Sequence, residues 1–130
     1  MVARRGLVYG VGALRAAAHG DRSVWALHHA ALANGIVPIV PAPVVAEGFR
    51  TEARRDRMEE LLAGAEVEAF SEDAARRTGE LAARAGTTDL TVVAVAETAA
   101  RRNCAVVASR QTALRQAAGL LGHELVLYAV

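Results

Sequence analysis

The chain has 130 residues, of which 53% are hydrophobic and only 4% aromatic; 15 basic and 14 acidic side chains leave a formal net charge of +1. That length suits one domain with its own core, and the apolar content excludes a disordered chain. The charge is too small to attract nucleic acid as a bulk effect, and no uninterrupted apolar stretch has the length of a signal peptide or a membrane span.

Gly6–Gly10 (GLVYG) is a short apolar run ending on glycine and reads as a first strand; Met1 to Leu7 is short and carries Arg4 and Arg5, unlike a targeting segment. Val11–Ala18 (VGALRAAA) reads as a short helix, broken at His19-Gly20-Asp21, where Asp21 can cap the next one. Ser23–Asn34 (SVWALHHAALAN) follows, with Val24, Leu27, Ala31 and Leu32 at helical spacing and Asn34-Gly35 as its stop. Ile36–Val40 (IVPIV) is β-branched and apolar, hence a buried second strand, although Pro38 has no N–H to give to a ladder.

Pro41 and Pro43 open a third helix from Val44 to Arg54, and Arg57–Leu62 is a fourth that ends at Gly64. Val67–Phe70 (VEAF) is a third strand whose charged member suits a sheet edge. Ser71 begins a cap, and a helical pattern runs on to Arg84. Gly86-Thr87-Thr88-Asp89 is a turn and cap before Leu90–Arg102, which is long and alanine-rich enough for a helix despite Thr91-Val92-Val93. Ala105–Ser109 (AVVAS) is a fourth strand, preceded by the lone Cys104, which reads as a small buried hydrophobe in a chain that can form no intrachain disulfide. Thr112–Leu121 is a last helix stopped by Gly122, and Glu124–Tyr128 (ELVLY) is a fifth strand.

Short apolar strands separated by amphipathic helices specify the α/β class. The expected arrangement is a three-layer α/β/α domain over residues 1–130 with a five-stranded parallel sheet. Cytoplasmic residence and no membrane contact are expected with it. In such an open sheet, ligands bind past the carboxyl ends of the strands. Gly10, Pro41–Glu47, Ser109-Arg110 and Asp89 fall there.

Four segments at those positions, Val8–Leu14 (VYGVGAL), Pro41–Glu47 (PAPVVAE), Thr87–Arg101 (TTDLTVVAVAETAAR) and Val106–Leu114 (VVASRQTAL), resemble the PIN-domain proteins in order and spacing. The resemblance covers essentially the whole chain and is closest to the VapC-like ribonuclease toxins of bacterial toxin–antitoxin pairs. It implies the strand order 3-2-1-4-5, RNA as substrate, an antitoxin-like protein partner, and a homodimer paired through helices of the N-terminal half. Val24, Leu27, Leu32, Leu61 and Leu62 are the apolar helix positions for that dimer, or for the core.

The resemblance also implies acidic side chains gathered around one or two Mg²⁺ or Mn²⁺ ions, which activate water and offset charge on the phosphodiester. Here Gly10 stands where the family's first Asp ends the first strand. Glu47 and Asp89 match the second and third acidic positions and are the candidate metal ligands. Val92 stands where a fourth Asp would follow one helical turn later, and Arg110, after Ala108-Ser109, where another often lies. No catalytic residue and no cofactor are expected on this count, beyond weak Mg²⁺ or Mn²⁺ binding. Arg110 is expected inside the cleft as a fixed counter-ion to Glu47 or Asp89. The plainer readings make Glu47 a helix residue paired with Arg50 or Arg54, and Asp89 an N-cap.

Three functions follow from this pattern. One is a degenerate PIN-like protein that lacks efficient nuclease activity and binds RNA or a protein partner. Another is a Mg²⁺- or Mn²⁺-dependent endoribonuclease toxin that recruits a further carboxylate, Glu97 and Glu124 being available. The third is a purely structural or regulatory interaction protein. The other candidates have bland readings. His28-His29 point apart on a helix, Gly10-Val11-Gly12 lacks the third glycine of a dinucleotide fingerprint, and Tyr9 and Trp25 read as packing residues. Arg50, Arg54, Arg55 and Arg57 alternate with Glu52, Asp56, Glu59 and Glu60 as on a solvated face.

Overall fold

The computed structural model describes residues 6–130, so the reading of Met1–Arg5 as no targeting segment lies outside the described residues. The elements in chain order are β1 (Leu7–Tyr9), α1 (Val11–Ala18), α2 (Arg22–Ala33), β2 (Ile39–Pro41), α3 (Ala42–Thr51), α4 (Arg55–Ala63) and β3 (Glu66–Glu68), then α5 (Glu72–Ala85), α6 (Leu90–Arg102), β4 (Ala105–Ala108), α7 (Thr112–Leu120) and β5 (Leu127–Ala129). The strands form one five-stranded sheet in the order β3-β2-β1-β4-β5, and every pairing is parallel. Class, order and strand direction agree with the expectation from sequence.

Burial explains the order. β1 and β4, apolar at every position and wholly buried, lie side by side in the middle, with Val8 opposite Val106. Strands buried on both faces need such continuous apolar runs. β3 lies at an edge, as its charge foretold. There Arg101 reaches Glu68 at 2.6 Å, and Arg102 reaches Glu66 at 3.0 Å and Glu68 at 2.9 Å. α1 packs with α2, α3 and α4, while α5, α6 and α7 pack on one another, giving a helical layer on each face.

β2 starts at Ile39, later than expected. Ile36 still bonds back to Ala31 at the end of α2, Val37 is 53% exposed, and Pro38 gives the sheet only its carbonyl, which accepts from Glu66 N at 2.8 Å. β5 likewise begins late, at Leu127, where β4 provides partners: Val106 pairs with Leu127 and Ala108 with Ala129. Asp21 caps α2 through Val24 N at 3.0 Å, and Ser71 caps α5 through Ala74 N at 3.1 Å.

Tyr9 and Trp25 are packing residues, as expected. The Tyr9 hydroxyl lies 2.9 Å from His28 Nδ1, Trp25 stands edge-on to His28, and Trp25 Nε1 donates to Ala17 O at 3.0 Å. Of the five apolar positions weighed for a dimer, Val24 and Leu61 are in the core, Leu27 and Leu62 pack against it, and Leu32 is 38% exposed. Among the described residues no helix is long and apolar enough to cross a membrane.

Candidate functional site

A cleft of about 570 Å³ opens at the carboxyl edge of β1 and β4, where the chain leaves the sheet in opposite directions. Its floor is Gly10, which directly follows β1, and Ala108, which ends β4. Three helices begin at it: Val11 and Gly12 start α1, Leu90 to Val92 start α6, and Gln111 precedes α7. Glu47 enters from α3.

Both acidic candidates line this cleft, and both are already engaged. Arg50 grips the Glu47 carboxylate on both oxygens, Nε to Oε1 at 3.1 Å and the guanidinium Nη2 to Oε2 at 2.6 Å. That hydrogen-bonded fork, with help from the Arg50 and Arg15 charges against some desolvation, holds the carboxyl below its ordinary range. Asp89 caps α6, its Oδ1 accepting from Val92 N at 3.1 Å, while Thr87 Oγ1 accepts from Asp89 N at 3.1 Å. The plainer readings of the two residues are therefore seen, in a cleft that a ligand can reach.

The cleft's guanidinium is Arg15, not Arg110. Arg110 is exposed and absent from the lining, whereas its neighbours Ser109 and Gln111 belong to it. Ser109 and Gln111 line the cleft while the exposed Arg110 between them does not, the alternation that an extended segment gives, and the backbone at Gln111 is extended (φ −145, ψ 134). Arg15 lies about one turn into α1, its Nε 3.4 Å from Thr51 Oγ1, which itself donates to Glu47 O at 2.8 Å. Among the described residues it forms no ion pair, although its charge acts on the Glu47 carboxylate.

The remaining acidic candidates lie elsewhere. Glu97 is buried and held by Arg77 at 3.3 Å and Arg101 at 3.0 Å, and neither it nor the exposed Glu124 lines the cleft. Val92, 9% exposed, and Gly10 present no oxygen from their side chains. Among the described residues, no three His, Cys, Asp or Glu side chains come together to hold a metal ion. Thr88, Thr91 and Gln111 line the cleft without having been singled out from sequence. The usable signal for Arg15 was its place in the helix that directly follows the first strand.

No protein-family model and no curated protein matches this sequence. Solved structures do match. One is the crystal structure of VapBC2 from Rickettsia felis bound to a DNA fragment from their promoter, with a TM-score of 0.71 at 16% identity over 95% of this chain and 98% of that chain. Another is PAE2754 from Pyrobaculum aerophilum, with a TM-score of 0.63 at 15% identity over 92% of this chain and 96% of that chain. The chain has the VapC-like PIN fold.

Proposed function

We propose that this chain is a PIN-like protein of the toxin–antitoxin type whose cleft binds RNA without efficient cleavage. The observation that carries the reading is the state of Glu47, bonded through both oxygens to Arg50 in a cleft that Arg15 also lines. Mg²⁺ and Mn²⁺ need several oxygen ligands, and Mg²⁺ gives up water reluctantly. Two carboxylates, one gripped by a guanidinium and the other spending an oxygen on a helix cap, do not fit such an ion. What the cleft does offer is suited to a sugar–phosphate chain: the Arg15 guanidinium, the hydroxyls of Thr88, Thr91 and Ser109, and the amide of Gln111. Among the described residues, no three-carboxylate set stands near enough to generate a hydroxide nucleophile.

The same proposal includes an antitoxin-like protein partner, because a neighbour of this fold is a VapBC2 structure. It also includes a homodimer, read by light scattering at high micromolar concentration; a monomer mass there removes that part. The central test is calorimetric titration with Mn²⁺ beside binding and cleavage assays on structured and unstructured RNA. Bound but intact RNA, with no Mn²⁺ heat, is the expected result. Cleavage that Glu47→Gln abolishes would establish a metal-dependent ribonuclease instead. RNA neither bound nor cut would leave a structural or regulatory protein.

A further inference from the structure

We infer that the floor of the cleft is sealed by direct contact between the ends of β1 and β4, so that no side chain at position 10 can enter it while the sheet keeps its present spacing. The inference deepens the reading above and rests on it in one respect: position 10 is where a further carboxylate would join Glu47 and Asp89.

A β-carbon built on Gly10 would stand 2.9 Å from the Ala108 β-carbon and 3.7 Å from its Cα. Gly10 has φ −91 and ψ −179, ordinary extended backbone open to any residue, so glycine is required there for space and not for its dihedrals. The neighbour cannot swing away, because Ala108 has no flexible end. Its strand is also held in register with β1 through Leu7 and Ala105, Val8 and Val106, and Tyr9 and Val107. Gly10 N donates to Val107 O at 2.9 Å, which continues the ladder to the point of contact. Neighbouring strands ordinarily lie about 4.8 Å apart. A 2.9 Å separation between the Ala108 β-carbon and one built on Gly10 leaves no room for a side chain between the two strand ends.

Gly12 repeats the contact one step along. A β-carbon there would overlap Ser109 Oγ, meet the Ser109 backbone N at 2.9 Å and lie 3.1 Å from Val130 Cγ2. The first turn of α1 is thus seated on the corner between β4 and α7. A third acidic ligand is therefore barred at the floor by the Ala108 methyl group, and restoring a carboxylate by one substitution does not reopen a cation site. The cleft is left to ligands that approach its mouth.

The test is a double-substitution cycle on the whole chain, followed by thermal unfolding. Gly10→Ala is expected to lower Tm by several degrees, Ala108→Gly to lower it less, and the pair together to lower it by well under the sum of the two single losses, since each relieves the other. Additive losses, or a Gly10→Ala variant with unchanged Tm, overturn the inference. A second arm uses Gly10→Asp and Mn²⁺ alone as the probe. No Mn²⁺ heat from that single variant is expected; a variant with wild-type Tm that binds Mn²⁺ tightly overturns the inference. The cycle needs neither RNA nor metal, so the functional reading and the sealed floor can fail separately.

Discussion

Arg15→Ala removes the guanidinium that lines the cleft and forms no ion pair among the described residues. Its effect on RNA binding can be sized from the charges around the cleft. Arg50 is committed to Glu47 at 2.6 Å, so among the described residues the guanidinium groups counted for phosphates are Arg15 in the lining and the exposed Arg110 beside Ser109, neither of them in an ion pair. Each phosphate neutralised on a single strand contributes about 0.7 to the slope of log affinity against log salt. The wild-type slope is then about −1.4, and that of Arg15→Ala about −0.7. Between about 50 and about 200 mM salt, the first corresponds to a loss of about sevenfold and the second to about 2.6-fold. Fluorescence anisotropy on a short unstructured RNA across that range reads both. Arg76→Ala serves as the control, because Arg76 is exposed on α5 and paired with Glu72 at 2.6 Å. Equal slopes for wild type and Arg15→Ala would show that RNA does not meet this guanidinium, and the assignment of the cleft as the binding surface would fall.

Two further predictions concern the core beneath the cleft. Tyr9→Phe keeps the buried ring but strips His28 Nδ1 of a partner 2.9 Å away; an orphaned buried polar group costs about 1–3 kcal/mol, read as a lower urea midpoint at unchanged m. An unchanged midpoint would mean that the hydrogen bond contributes nothing. His28 itself has a pKa pushed down, first by burial, then by the neighbouring His29, with Glu60 opposing. Its folded pKa lies below the unfolded value of about 6.5, so the unfolded chain binds more protons in acid. The resulting stability is complete above about pH 6.5 and is lost as pH falls through that value and towards the folded pKa. Urea midpoints taken from neutral to mildly acidic pH should fall accordingly, and His28→Asn should flatten the decline; an equally steep decline in that variant would assign it to other groups.

The parallel direction of the sheet and the extent of α6 were legible in the residues, whereas the strand order was implied by the PIN-domain resemblance. Asp89 capping a long alanine-rich run specifies α6, and the alternation of apolar strands with helices specifies the sheet. The pairing of Glu47 with Arg50 was legible too, since residues three apart share a helix face. Strand ends were less so. Ile36 and Val37 have the composition of a strand, but Ile36 completes the turn that closes α2, its N–H donating locally to Ala31 O at 2.9 Å. The exchange of Arg110 for Arg15 has a sharper cause. Composition shows an arginine beside Ser109, but whether it faces in or out depends on the parity of one extended segment. Arg15, for its part, depends on how α1 is rotated above β1. The tight approach at Gly10 was hidden because glycine there reads equally as a turn, a loop or a missing ligand.

The convergence of helix starts on one edge of the sheet has an electrical consequence. α1, α3, α6 and α7 all begin at the carboxyl edge, and none carries an acidic residue in its first turn. Each helix start is equivalent to roughly half a positive charge, with the opposite sign at its far end. Asp89 at the mouth of α6 offsets part of that sum, but the alignment remains. A chain whose formal net charge is only +1 is thereby polarised along its strands. A polyanion arriving within a Debye length, about 8 Å at physiological salt, meets an oriented field and not a weak point charge. That field falls off within the first turn of each helix, so it acts on an anionic group at the cleft mouth, through backbone that no surface charge count reveals.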